Sequence, residues 1–162
     1  MPSVDAIEAL LPHKRPMALL HRLLEVDSDM ARCEAQMERL DLFHDEQGNV
    51  PGWVGIELIA QTAGVLMGHH AREEGGTPRM GYLLGTRRFD ISMPVFPAGS
   101  RVEVVVRKVL QHGGMGQYEG EIFIGGEKIA SSVVNTYLPG PEEMATLLGP
   151  HATEDAPGTG EE

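Results

Sequence analysis

The sequence is poor in cysteine. Cys33 is the only one in 162 residues, so no disulfide forms within the chain, and neither a Cys-x-x-Cys pair nor a His-x-x-x-His pattern is present to suggest a metal site. A long apolar run is also missing: no stretch approaches the roughly 18 residues that a membrane-spanning helix requires. The opening Met1-Pro2-Ser3-Val4-Asp5-Ala6-Ile7-Glu8 has no basic region leading into an apolar one. Neither secretion nor membrane spanning is therefore expected, and a reducing cytoplasm fits the lone thiol. Positive charge is scarce too, with 13 Lys and Arg against 24 Asp and Glu and a formal net charge of -11. Affinity for nucleic acid depends on clustered Lys and Arg, so nucleic-acid binding is not expected.

What is present is enough for one domain with a real core. The charge is uneven: residues 141–162 hold six acids and no Lys or Arg, leaving -5 over residues 1–140. This tail is also rich in Gly, Pro, Ala and Thr, a composition that buries little apolar surface. The reading is a folded domain over 1–140 and an acidic tail over 141–162, disordered beyond about Leu148.

Residues 4–11 form a short helix that Pro12 stops, and His13-Lys14-Arg15-Pro16 makes a basic turn. Alternation between Ala18 and Gln36 suggests a hairpin turning at Asp27-Ser28-Asp29. After the loop residues Asp45 to Asn49, Pro51 sits where the first turn of a helix accepts a residue without an N–H. The helix itself is read from Trp53 to about Ala71. It is apolar on nearly every face, with only Glu57, Gln61 and Thr62 polar in its first three turns, so it belongs inside the protein. Strands follow at Met80–Ile91, Arg101–Gln111, Gly116–Ile124 and Lys128–Leu138, separated by Gly- and Pro-rich turns. One apolar helix enclosed by a curved antiparallel sheet is an α+β architecture of the hot-dog type. Its open sheet edge predicts a homodimer or a heterodimer with a related subunit.

Glu57 is the first candidate for chemistry, because a carboxylate one to two turns into an apolar helix is costly unless it has a use. Desolvation there would raise its pKa toward neutrality and make it a competent proton carrier at pH 7. The alternative is a structural carboxylate that caps backbone or pairs with Arg87 or Arg88.

Three segments carry a family resemblance. Leu11-Pro12-His13-Lys14-Arg15-Pro16-Met17-Ala18-Leu19-Leu20 resembles the opening of the 3-hydroxyacyl-acyl-carrier-protein dehydratases of fatty-acid synthesis, and Pro51-Gly52-Trp53-Val54-Gly55-Ile56-Glu57-Leu58-Ile59-Ala60-Gln61 resembles the start of their central helix. Gly81-Tyr82-Leu83-Leu84-Gly85-Thr86-Arg87-Arg88-Phe89 and Gly113-Gly114-Met115-Gly116 resemble more closely the divergent dehydratase subunit of aryl polyene biosynthesis. Together they cover roughly residues 9–139. The resemblance implies a catalytic Glu57, a thioester carbonyl held at the amide of Gly52, and a 3-hydroxyacyl substrate on an acyl carrier protein or coenzyme A. The fatty-acid enzymes place a histidine in a Gly-His-Phe-Pro segment eight residues before the Pro-Gly; this chain has Leu42-Phe43-His44-Asp45, with His44 seven residues before Pro51. His13 and His44 are both candidates for the partner of Glu57, His13 ranked first.

Dehydration takes a proton from C2 of the thioester and returns one to the departing 3-hydroxyl. A neutral imidazole suits the first step and a protonated carboxyl the second. The amides of Gly52 and Trp53 would meet the developing enolate charge at the helix start. No metal or cofactor is needed. Gln61, one turn beyond Glu57, either orients that carboxyl or satisfies backbone. Trp53, Leu84, Phe89 and Met93 are candidate tunnel residues beside the alternative of ordinary core. Gly85 is placed where a thioester arm approaches the strand, and Arg87 and Arg88, with Lys14 and Arg15, are a candidate docking patch for an acidic carrier. A hot-dog thioesterase and a catalytically silent subunit are the competing readings.

Overall fold

The computed structural model describes residues 4–11, 15–76 and 81–148. Helix α1 (Val4–Leu10) precedes an antiparallel hairpin of β1 (Arg22–Val26) and β2 (Met30–Gln36). The turn between them is held by the Asp27 carboxylate, which accepts from the amides of Asp29 (2.7 Å) and Met30 (2.9 Å). Two short 3-10 turns, Met37–Arg39 and Asp41–Phe43, lead to β3 (Val50–Pro51) and the long helix α2 (Val54–Glu73). Then come β4 (Tyr82–Ile91), β5 (Val95–Phe96), β6 (Arg101–His112), β7 (Met115–Ile124), β8 (Glu127–Tyr137) and α3 (Pro141–Leu148).

Six strands make one antiparallel sheet in the order β1-β2-β6-β7-β8-β4, and β3 pairs with β5 in a separate ribbon. The register follows from the turns. Gly113-Gly114 and Gly125-Gly126 all have positive φ, between 56° and 83°, the backbone that a two-residue hairpin turn demands and that glycine supplies without strain. They set His112 opposite Met115 and Ile124 opposite Glu127.

Alternation then divides the sheet. Tyr118, Gly120, Ile122, Ser132, Val134 and Thr136 face inward and are buried, with Val102, Val104 and Val106 beside them. Helix α2 lies on this inner face and touches β2, β4, β6, β7 and β8. Its buried residues Val54, Leu58, Ile59, Val65 and Leu66 form the core with them. Close approach depends on small residues: a side chain at Gly120 would collide with Ile59, and one at Gly55 with Ile122, Phe89 and Phe96. This is the expected hot-dog arrangement.

Glycine also lets α1 and α2 approach closely. A methyl group at Gly68 would overlap the Leu10 carbonyl oxygen of α1, and a carbonyl cannot swing away as a side chain can. Alanine in a helix gains about 1 kcal/mol over glycine, but overpacking costs about 1–3 kcal/mol and here displaces α1 as a unit. Gly68→Ala is expected to lower stability by up to about 2 kcal/mol net of that gain, read as a shift in urea midpoint; a stabilised variant would show that α1 is loosely held.

Three boundaries differ from expectation. Pro51 belongs to β3 instead of the first helical turn, because its segment pairs with β5 before the chain turns into α2. The 140 boundary falls one residue before a helix: α3 occupies the first eight residues of the presumed tail. It is stapled to the sheet, since Tyr137 donates to the Glu143 carboxylate and the Tyr82 hydroxyl lies 3.9 Å from the Met144 sulfur. The run from Ala18 to Leu20 is buried but not a strand. The expected disorder beyond Leu148 lies outside the described residues, as does the start of the strand expected from Met80. Among the described residues no helix is long and apolar enough to cross a membrane.

Candidate active site

Glu57 occupies the first turn of α2 and is half-buried, with the buried pair Leu58 and Ile59 after it and Trp53, 61% exposed, one turn before it. Among the described residues it makes no ion pair; Arg88 pairs instead with Asp90 (2.9 Å). Its hydrogen-bond partner among the described residues is Gln61, whose Nε2 donates to the carboxylate at 3.1 Å.

Gln61 does both things the sequence allowed. It is 1% exposed, and its amide binds the segment before β1: Nε2 also donates to the Met17 carbonyl (2.8 Å), while Oε1 accepts from the Leu19 amide (2.8 Å). A buried amide with both ends satisfied is fixed in rotamer, so the N–H it offers Glu57 points in one direction.

The helix start departs from expectation at Gly52. Its N–H donates to the Pro94 carbonyl (2.9 Å) in the ribbon joining β3 to β5, and a side chain there would strike Ile91. The Gly52 amide is thus taken by the fold. The N–H groups of Trp53 and Val54 have no acceptor among the described residues, as the first amides of a helix do not, and carry the positive end of its dipole.

Of the two histidines, His13 lies outside the described residues. His44 follows the second 3-10 turn, is half-buried, and its Nε2 lies 2.6 Å from the Met37 carbonyl. A carbonyl only accepts, so Nε2 carries the proton and Nδ1 holds the lone pair of the neutral ring. The ring of Phe43, beside His44, stands edge-on to Trp53 with centroids 5.8 Å apart. That contact brings the segment of His44 against the first turn of α2. A half-buried carboxyl, an imidazole on the neighbouring segment and amides without an acceptor at one helix end are groups that can move a proton beside a developing oxyanion.

The other predicted residues divide. Phe89 is partly buried against the core near Gly55. Trp53 packs on Phe43 and is otherwise exposed. Leu84, 55% exposed, lies on the edge strand β4, as does Gly85, around which the chain leaves open space. Arg87 and Arg88 are not a basic patch: they line a cavity of about 410 Å³ together with Asp90, Glu119 and Glu121. Arg88 has φ 46°, at a bulge where β4 slips its pairing with β8 between Arg87 and Asp90. Arg15 is not a free docking charge either, since its guanidinium donates to the carbonyls of Ala18 (2.6 Å) and Leu20 (2.8 Å). Lys14 lies outside the described residues.

Sequence reasoning missed His21, which is fully buried. Its Nδ1 accepts from the Gln36 amide (2.9 Å), so Nε2 bears the hydrogen, and that atom is buried without an acceptor among the described residues. Burial, with the charges of Arg15 and Arg39 adding to it, pushes its pKa down to about 4. A polar residue inside the Leu-Leu-His-Arg-Leu alternation was the available signal.

A long helix on the inner face of an antiparallel sheet defines a hot-dog protein. The chain belongs to the ApeP-like family, ApeP dehydratase, whose model matches residues 5–149. The dehydratase heterocomplex ApeI:P from Xenorhabdus doucetiae contains a chain that superposes with a TM-score of 0.83 at 31% identity, covering 92% of this chain and 98% of that one. The 3-hydroxyacyl-[acyl-carrier-protein] dehydratase FabZ of Sinorhizobium medicae is 29% identical over 146 residues, 87% of this chain and 92% of the relative. Zebra fish thioesterase superfamily member 2 shares the fold, with a TM-score of 0.62 at 14% identity over 84% of this chain and 95% of that chain.

Proposed function

We propose that this chain dehydrates 3-hydroxyacyl thioesters carried on an acyl carrier protein to trans-2-enoyl thioesters, in the cytoplasm and as one half of a hot-dog dimer. The observation that carries the reading is the presentation of Glu57 by the buried Gln61 at the open start of α2, in a chain of a dehydratase family. A histidine, His44 through Nδ1 or else His13, takes the C2 proton. Negative charge builds on the thioester oxygen and is met by the Trp53 amide, one of the two amides expected there, the other, that of Gly52, being taken by the Pro94 carbonyl. Protonated Glu57 gives its proton to the 3-hydroxyl, which leaves as water, and the proton held on the imidazole then returns to Glu57 through solvent. No group beyond the chain's own is required.

The partner is a related hot-dog subunit joined through β4. This strand is the free edge beyond β8, and its Tyr82, Leu83 and Leu84 are exposed apolar residues. An exposed edge of ten residues is a ready template for a strand from another chain. The relative solved as a heterocomplex favours an unlike partner.

The reading is tested by incubating the protein, alone and with a related hot-dog subunit, with a 3-hydroxyacyl thioester on a carrier protein while following enoyl absorbance and free thiol. Enoyl product without thiol release is expected, lost in Glu57→Gln and in one of His13→Ala and His44→Ala. Thiol release would make the chain a thioesterase. Enoyl formation by the mixed assembly that survives Glu57→Gln would make it a silent subunit.

A further inference from the structure

Four consecutive residues before β1 are held from two sides. From the helix, Gln61 binds the Met17 carbonyl and the Leu19 amide, each at 2.8 Å. From the preceding turn, the Arg15 guanidinium binds the Ala18 carbonyl through one terminal nitrogen (2.6 Å) and the Leu20 carbonyl through the other (2.8 Å). The two grips interleave: Gln61 takes residues 17 and 19, Arg15 takes 18 and 20. Among the described residues Arg15 makes no ion pair, so these carbonyls are its fixed attachments. A planar fork with two separated donors suits two carbonyls that one ammonium group cannot span in the same geometry.

The same Gln61 nitrogen that holds Met17 also donates to Glu57. Its direction is therefore set by where the Met17 carbonyl and Leu19 amide lie, and those are set by the Arg15 grip. We propose that Arg15 is a positioning residue for Glu57, acting through the Met17–Leu20 backbone and Gln61. The inference rests on the reading of Glu57 as proton donor. It replaces the expectation that Arg15 faces a carrier protein, and it gives the segment before β1 a role in the reaction although none of its described side chains hydrogen-bonds to Glu57.

Arg15→Met keeps most of the stem and removes the fork. It is expected to lower kcat about ten- to a hundredfold, the range seen when a catalytic group is misplaced by a fraction of an ångström to one ångström, with KM little changed. Arg15→Lys should recover only part of the loss, and a few millimolar methylguanidinium should recover activity in Arg15→Met but not in Glu57→Gln.

The deciding measurement combines the variants in the full chain, assembled with its second subunit where activity requires one. In a Glu57→Gln background, Arg15→Met should leave the residual rate unchanged, because the group it positions is already gone. An equal fractional loss in both backgrounds, or a raised KM with unchanged kcat, would overturn the proposal, the latter pointing to contact with the carrier. Full activity in Glu57→Gln would instead overturn the reading beneath it. If Arg15→Met melts far below the parent chain, Arg15→Lys carries the same cycle.

Discussion

Glu57→Gln is expected to reduce kcat for dehydration by about 10²- to 10⁴-fold, the range that one general acid–base group supplies, without a comparable change in KM or melting temperature. The geometry makes the substitution clean. Gln61 Nε2 donates to Glu57 Oε1, and a glutamine at 57 still offers a carbonyl oxygen to that N–H. The buried attachments of Gln61 to Met17 and Leu19 are therefore left in place, and what disappears is the exchangeable proton. Glu57→Ala is a poorer probe, since it would leave the Gln61 N–H with one partner fewer in a buried place. Steady-state rates from enoyl absorbance, beside thermal melts of both proteins, give the answer. A loss below tenfold would remove Glu57 from the proton transfer and return it to a surface carboxylate that Gln61 happens to meet.

Most of the fold was legible because its pattern is strong over long stretches. The apolar run from Trp53 onward gave α2 to within two residues at either end, and the Gly-Gly pairs at 113–114 and 125–126 gave both two-residue hairpins, since glycine at positive φ has few other reasons to occur twice between alternating runs. What escaped notice was short or depended on tertiary contact. The ribbon of Val50–Pro51 with Val95–Phe96 has two residues a side, too few for periodicity, yet it takes the Gly52 amide. Helix α3 is held in part by Tyr82 and Tyr137 from two strands, which composition cannot foresee.

The site was half legible. Glu57 and Gln61 share a helix face by spacing alone, so their contact followed from the sequence. The long-range partners of Gln61, 42 and 44 residues away, did not. Charge misled at Arg15, Arg87 and Arg88, where a basic residue suggested a docking surface. One of these binds backbone and the others line a cavity with three carboxylates. A charged side chain near a turn is often part of the local hydrogen bonding, and only coordinates tell the two uses apart.

His21 supplies the second large effect, on stability. Burial holds its imidazole neutral, with its pKa down at about 4, whereas in the unfolded chain it titrates near the ordinary value of about 6.5. Between those two values the unfolded state binds a proton that the folded state refuses, so stability falls as pH drops from about 6.5 to about 4 and this contribution is flat above and below that window. A shift of that size corresponds to about 3 kcal/mol. Protonation also removes the Nδ1 lone pair that accepts the Gln36 amide, so the bond that ties His21 to the end of β2 is lost with it. Asparagine places an acceptor oxygen close to where Nδ1 stands and has no charge to gain, so His21→Asn separates this group from the carboxylates that titrate in the same range. Urea unfolding of both proteins at pH 7 and pH 4 should show a stability difference between the two conditions that is smaller in His21→Asn by about 3 kcal/mol. An identical pH dependence in the two proteins would mean that His21 is protonated as readily in the folded chain as in the unfolded one, and that its unpaired Nε2 reaches water.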